Sequence, residues 1–222
     1  MSARQIAPDT LGIEDPGALR RRWEGTHDVD PWGLDPDLVD VLSPLWNARF
    51  RIDVDHPERL PGAGPALLVA NQRVGLSEPF VLARGVRLAT GRFVRMVGVP
   101  DAPPVGPVLR RLGGVLARPD EVAGLLRAGQ VVGVLLDRDV RQRAHAGRVP
   151  HELFAPAFDL GAPVVPVALV GREVGRSWRV RLGEPVRHPA GRGPLAMAEL
   201  ADRARAGVQS LLDEALPPRG WF

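Results

Sequence analysis

The stretch Leu67-Leu68-Val69-Ala70-Asn71-Gln72-Arg73-Val74-Gly75-Leu76-Ser77-Glu78-Pro79-Phe80 decides how the rest of the chain is read. An apolar run of strand length meets a short polar turn, and the turn meets a proline of the kind that opens a helix. Ser77 and Glu78 stand where such a helix takes its cap. A buried strand handing over to a helix is the building unit of a parallel sheet, and ligands of such sheets collect at the C-terminal strand ends.

The same alternation continues on both sides. Phe50-Arg51-Ile52-Asp53-Val54-Asp55 alternates apolar and charged, as a half-buried strand does, and Pro61-Gly62-Ala63-Gly64-Pro65 is a turn before the next strand at 66–70. Further strands are expected at 93–99, 114–117, 131–136, 164–170 and 178–182. Helices are expected at 38–46, 79–90, shortly after Pro107, and at 119–129, 152–160 and 195–216. The pattern predicts an α/β fold: a single domain with a central mixed, largely parallel sheet flanked by helices. Residues 1–36, rich in Pro, Gly and Asp, are expected to form a loosely ordered N-terminal arm packing on the body through Trp23 and Trp32, with residues 37–222 as the α/β domain.

Composition narrows the function classes. The 222 residues are 45% hydrophobic and 25% charged, with no cysteine, so disulfides and thiolate metal sites are excluded. With no Lys, Tyr or Cys, little titrates between His and Arg, and a net charge of only +3 yields a very high isoelectric point. The charge is unevenly spread: residues 1–45 hold nine acids against four arginines, leaving +8 on residues 46–222. A basic body suits an anionic ligand or an anionic membrane surface. The N-terminus lacks the apolar core of a signal peptide and no run reaches a membrane span. The expected location is cytoplasmic, or peripheral on the inner face of the membrane.

Four blocks, in order between Phe50 and Val186, resemble the glycerolipid (1-acylglycerol-3-phosphate, lysophospholipid) acyltransferase family. The first block of that family is Asn-His after an apolar strand, then four residues, then Asp at a helix start. The resemblance implies a His general base on the acceptor hydroxyl, oriented by the Asp. Here Asn71 matches, Gln72 holds the His position, Ser77 holds the Asp position and Glu78 comes one residue late. An amide has no usable basicity, and a carboxylate held ionised at a helix N-terminus is a poor base for an alcohol. The second block looks like Leu112-Gly113-Gly114-Val115-Leu116-Ala117-Arg118, with Arg118 as the implied phosphate contact one residue nearer Gly113 than usual. The third, after a strand, is Asp137-Arg138-Asp139-Val140-Arg141: Asp137 stands for the family's Glu, and Arg138 and Arg141 flank the lost Arg position at Val140. The fourth, Ala162-Pro163-Val164-Val165-Pro166-Val167, is intact.

The resemblance implies acyl transfer from acyl-CoA or acyl carrier protein to a lysophospholipid-type hydroxyl, without a further cofactor. Gln72, Ser77 and Glu78 hold the degenerate catalytic positions, and Asn71, Arg73, Arg118, Asp137, Arg138 and Arg141 are the candidate substrate contacts. The alternative is a catalytically silent protein that binds an acyl lipid or acyl carrier, or scaffolds a partner.

Other tempting residues are weaker. His145 and His151 flank a basic loop and could fold back as a base, although a loop histidine is more often solvated. No His/Asp/Glu spacing reads as a metal site. The loop arginines lack the aromatic interleaving of a single-strand nucleic-acid platform, and neither a phosphate-binding Gly/Lys loop nor a Gly-x-Ser-x-Gly elbow is present. The resemblance implies a lipid or acyl-thioester ligand and a peripheral membrane surface as partners, and no nucleic acid and no metal are expected. Val105 to Leu116, apolar with Arg110 and Arg111, reads equally as an interfacial segment or a buried helix-turn-strand.

Overall fold

A computed structural model describes residues 15–72, 76–137, 146–172 and 175–215. Seven strands form one sheet: β1 (Arg51–Asp55), β2 (Ala66–Ala70), β3 (Val94–Val97), β4 (Gly114–Val115), β5 (Val131–Leu135), β6 (Val164–Gly171) and β7 (Ser177–Leu182), in the order β1-β7-β6-β2-β5-β3-β4. β2 pairs in parallel with β5 and β6, and β3 in parallel with β5 and β4. β7 runs antiparallel to β6, with β1 parallel to β7. Five strands therefore end at one edge of the sheet, and the expected α/β domain on a mixed, largely parallel sheet is what forms.

The helices are α1 (Pro16–Glu24), α2 (Pro36–Arg49), α3 (Glu78–Thr90), α4 (Val105–Arg111), α5 (Pro119–Arg127), α6 (Ala155–Leu160) and α7 (Pro194–Ala215). They cover both faces, which is why β2 is apolar at every position instead of alternating. Ala66, Leu68 and Ala70 join a core with Val81, Leu82 and Val86 of α3. Leu67 and Val69 join the opposite core, with Val122 and Leu125 of α5 and Leu200, Ala204 and Val208 of α7. α3 approaches closely at Gly85, where a Cβ would stand 3.0 Å from Ile52 and 3.1 Å from Val180.

Several elements differ in extent from the pattern-based reading. α2 starts earlier than 38, because Asp35 accepts a hydrogen bond from the Leu38 N–H at 2.9 Å and Pro36 suits the first turn. α3 starts at Glu78, which puts Pro79 inside the first turn instead of at its first position. The strand expected at 93–99 stops at Val97, where Gly98 turns to φ 110. The segment 152–160 divides into a 3-10 turn, His151–Leu153, and α6.

The N-terminal stretch holds a helix, α1, capped by Asp15 and ended by Gly25 in the left-handed conformation. Of its two indoles, Trp32 packs on the body, 3.5 Å from where a Cβ on Gly124 of α5 would stand. Trp23 is 93% exposed, so the expected second indole anchor does not form.

Candidate active site

The site is built where β2 and β5 end side by side. Ala70 pairs with Leu135, and the Leu136 N–H donates to the Ala70 carbonyl at 2.8 Å. The two chains then leave the sheet at Asn71 and Asp137. Asn71 is buried, and its side chain continues the ladder that the backbone has left. Its Oδ1 accepts from the Leu169 N–H at 2.7 Å and its Nδ2 donates to the Leu169 carbonyl at 3.1 Å. Both ends of the amide are thus engaged by β6, which fixes the direction in which Gln72 departs.

Gln72 is half-buried and lies two residues past the Ala70–Leu135 pair, as does Asp137 on the neighbouring strand. Asp137 is exposed, and its N–H donates to the Arg148 carbonyl at 2.9 Å in an isolated antiparallel bridge. Arg148, one of several loop arginines in the sequence, is thereby brought to the site edge. The pairing spans a ten-residue gap in sequence and has no local signal.

Ser77 and Glu78 form the entry to α3. Ser77 is buried and makes no side-chain cap bond, while its carbonyl accepts from the Val81 N–H at 2.8 Å. Glu78 is 1% exposed, in the first turn of α3. A group that buried is not presented to solvent as a proton acceptor.

Arg118 ends the β4 connection as the N-cap of α5, three strands from β2. That places its backbone about 14 Å across the sheet, at ~4.8 Å per strand spacing. Its guanidinium stands 3.5 Å from Asp101, with both groups exposed. The fold therefore brings Asn71, Gln72 and Asp137 to adjacent strand ends, and sets Arg118 apart. Arg73, Arg138 and Arg141, with Val140 and His145, lie outside the described residues. His151 is exposed, and His188 stacks on Phe158 with its Nε2 2.9 Å from the Ala162 carbonyl.

An apolar cleft of about 50 Å³ lies along the seam of α2, α3 and β3, lined by Val39, Trp46, Phe80, Phe93 and Leu112. The Trp46 and Phe80 rings stack at 4.9 Å. Among the described residues no cluster of three or more His, Asp or Glu could hold a metal ion, and no helix is long and apolar enough to cross a membrane.

No family model matches the chain. The chain is 27% identical to an uncharacterized protein of Mycobacterium tuberculosis H37Rv over 71% of its own length and 49% of the relative's. An uncharacterized protein of Mycobacterium leprae is 28% identical over 71% and 48%. The chain thus spans about half the length of the curated relatives it matches. Among solved structures it is similar to the 1-acyl-sn-glycerophosphate (LPA) acyltransferase PlsC from Thermotoga maritima, with a TM-score of 0.55 and 17% identity over 83% of each chain. The chain shares the fold of that structure. Asn71, Gln72 and Asp137 stand at strand ends of the sheet that the two chains share.

Proposed function

We propose that this chain is a divergent acyltransferase. Its β2–β5 edge takes an acyl thioester, on CoA or an acyl carrier protein, together with a lysophospholipid-type hydroxyl. The hydroxyl oxygen attacks the thioester carbonyl, the carbon–sulfur bond breaks, and the hydroxyl proton leaves to solvent as the thiolate departs and is reprotonated. The observation that supports this reading is the acyltransferase fold combined with Gln72 and Asp137 at adjacent strand ends. Because Gln72 cannot accept the proton, the contribution left to the protein is holding donor and acceptor together. Losing the general base costs about 10²–10⁴-fold in rate.

A second reading, a silent binder of acyl lipid or acyl carrier, is favoured by the burial of Glu78 and the full engagement of the Asn71 amide. One experiment separates the two. Purified protein is incubated with acyl-CoA and lysophosphatidic acid, and product is measured by mass spectrometry. Slow turnover by the wild type, abolished by Asp137→Ala, is the result expected of the enzyme. Binding of acyl-CoA with no turnover, and turnover only after Gln72→His with Ser77→Asp, would establish the silent reading. Absence of acyl-CoA binding by every variant overturns both.

A further inference from the structure

The sheet begins at β1, which pairs with β7 on one side and with no other strand among the described residues. The opposite end of the sheet, β4, is two residues long, whereas β1 has five. The Arg51 N–H donates to the Arg176 carbonyl at 2.7 Å, so Arg51, Asp53 and Asp55 turn their backbone groups towards β7. Successive residues of a strand point these groups to opposite sides, which leaves those of Ile52 and Val54 on the open side. The extended Phe50 turns its carbonyl the same way, while its N–H is held by the Trp46 carbonyl at 2.7 Å. An edge of this kind is a template for a further strand.

Side-chain charge decides which strand fits. Ile52 and Val54 are buried in the core with α3. Arg51, Asp53 and Asp55 lie on the other face, and Asp55 is engaged by Arg181 at 3.2 Å and Arg179 at 3.9 Å. The side chains of Arg51 and Asp53 have no hydrogen bond or ion pair among the described residues. A cation and an anion two residues apart on an open edge complement a second copy of themselves. With a two-fold axis at Ile52, each Arg51 stands directly opposite the partner's Asp53. Moving the axis to any other residue of β1 sets a charge against its like: Arg51, Asp53 or Asp55 against itself, or Asp53 against Asp55. Opposite charges facing one another stabilise a strand pair and like charges destabilise it.

We propose that β1 pairs antiparallel with β1 of a second copy of this chain, on a two-fold axis at Ile52, extending both sheets into one. The two Ile52 residues exchange N–H and C=O, each Val54 N–H donates to the partner's Phe50 carbonyl, and each Arg51 meets the partner's Asp53. This goes beyond the acyl-transfer reading and does not rest on it, because association is measured without acyl donor or acceptor.

Sedimentation equilibrium of the full chain over a wide range of concentration tests the pairing. The wild-type mass is expected to rise from monomer to dimer. Arg51→Asp alone and Asp53→Arg alone should each weaken the dimer about tenfold, because each sets like charges opposite. An equimolar mixture of the two variants should associate as the wild type does, and so should one chain carrying both substitutions, since each restores opposite charges at both pairs. Thermal unfolding checks that the variants are folded. A wild type that stays monomeric, as it would if a foreign strand or the chain's own terminal residues take this edge, overturns the proposal. So do folded single variants that dimerise like the wild type, or a folded double variant that does not. Cysteine pairing decides the matter if a charge variant fails to fold, because the chain has no native cysteine. Arg51→Cys mixed with Asp53→Cys should cross-link on oxidation, as these positions form the closely spaced pair of an antiparallel ladder. Arg51→Cys mixed with Leu195→Cys, an exposed position on α7, should not. Absence of the first cross-link, or equal formation of both, overturns the pairing.

Discussion

Asp30 reaches across from the N-terminal stretch and closes on Arg95, a guanidinium fully buried in the middle of β3. Arg95 also donates from Nε to the Gly113 carbonyl at 3.3 Å. Burial pushes the Arg95 guanidinium down from its ordinary value, and the hydrogen bond it donates to the Asp30 carboxylate opposes that push. The same stretch turns back through Leu34, whose side chain lies 3.5 Å from where a Cβ on Gly113 would stand, and the Asp35 N–H donates to the Arg111 carbonyl at 3.0 Å. Residues 30–35 thus lie along the β4 edge, where an open strand would invite pairing. Removing Asp30 leaves a buried cation without its carboxylate. Asp30→Ala is expected to cost about 3 kcal/mol, at the lower end for a broken buried pair because Asp30 itself is partly exposed. Asp30→Leu with Arg95→Met should recover most of that loss. Urea unfolding midpoints of the three proteins check both statements, and equal loss in the single and double variants would refute the ion-pair account.

A second expectation concerns Asn71. Its amide meets both backbone groups of Leu169, a residue with no exposed surface. Asn71→Ala leaves a buried N–H and a buried carbonyl without partners and is expected to destabilise by roughly 2 kcal/mol. Asn71→Asp keeps the acceptor but sets an oxygen against the Leu169 carbonyl, so it should be the more damaging change despite its smaller alteration of shape. Chemical denaturation gives the order. If Asn71→Asp is as stable as the wild type, the bidentate contact with β6 is not what holds this turn.

The fold was legible because β2 is apolar throughout, and because Pro36, Pro79 and Pro119 each sit in the first turn of a helix. The site was legible only in part. The Asn71–Gln72 turn announces itself as a polar break after a buried strand. That Asn71 faces Leu169, 98 residues away, is a product of strand order and has no local signal. The Asp137–Arg148 bridge and the Asp30–Arg95 pair are hidden for the same reason. Arg95 is a charge inside an apolar strand pattern, and its partner lies 65 residues earlier in the arm.

Acid sensitivity should centre on Arg21. Its guanidinium forks between two carboxylates, 2.9 Å from Nε to Asp37 Oδ2 and 2.6 Å from Nη2 to Asp15. The hydrogen bond from Arg21 holds the Asp37 carboxyl below its ordinary value, and the same contact lowers Asp15. A carboxyl depressed in the folded state adds stability that is complete above its unfolded value, near 4, and is lost as pH falls through the folded value. The wild type should therefore lose stability more steeply than Asp37→Asn as pH drops below about 4. Urea midpoints measured from neutral to strongly acidic pH show this as two curves that converge on acidification. Parallel curves would mean that the Arg21 fork is not linked to folding.

The pH dependence of acyl transfer tests the chemistry of the opening turn. Gln72 carries no group that titrates at neutral pH, and the strand-end residues Asn71, Gln72 and Asp137 include no histidine. The rate of a reaction that relies on positioning should rise smoothly with pH, following the small ionised fraction of the acceptor hydroxyl. Gln72→Ala should leave the shape of that profile unchanged and alter the rate less than about tenfold, since the amide supplies at most a neutral hydrogen bond. Gln72→His with Ser77→Asp should instead introduce an inflection near the histidine value of ~6.5, with a rate increase of about 10²-fold above it. A wild-type profile that already bends near 6.5, and keeps that bend in Gln72→Ala, would place a histidine from another part of the chain in the reaction. His151→Ala would then be the variant to lose it, because His151 lies three residues beyond the Arg148 that bridges to Asp137.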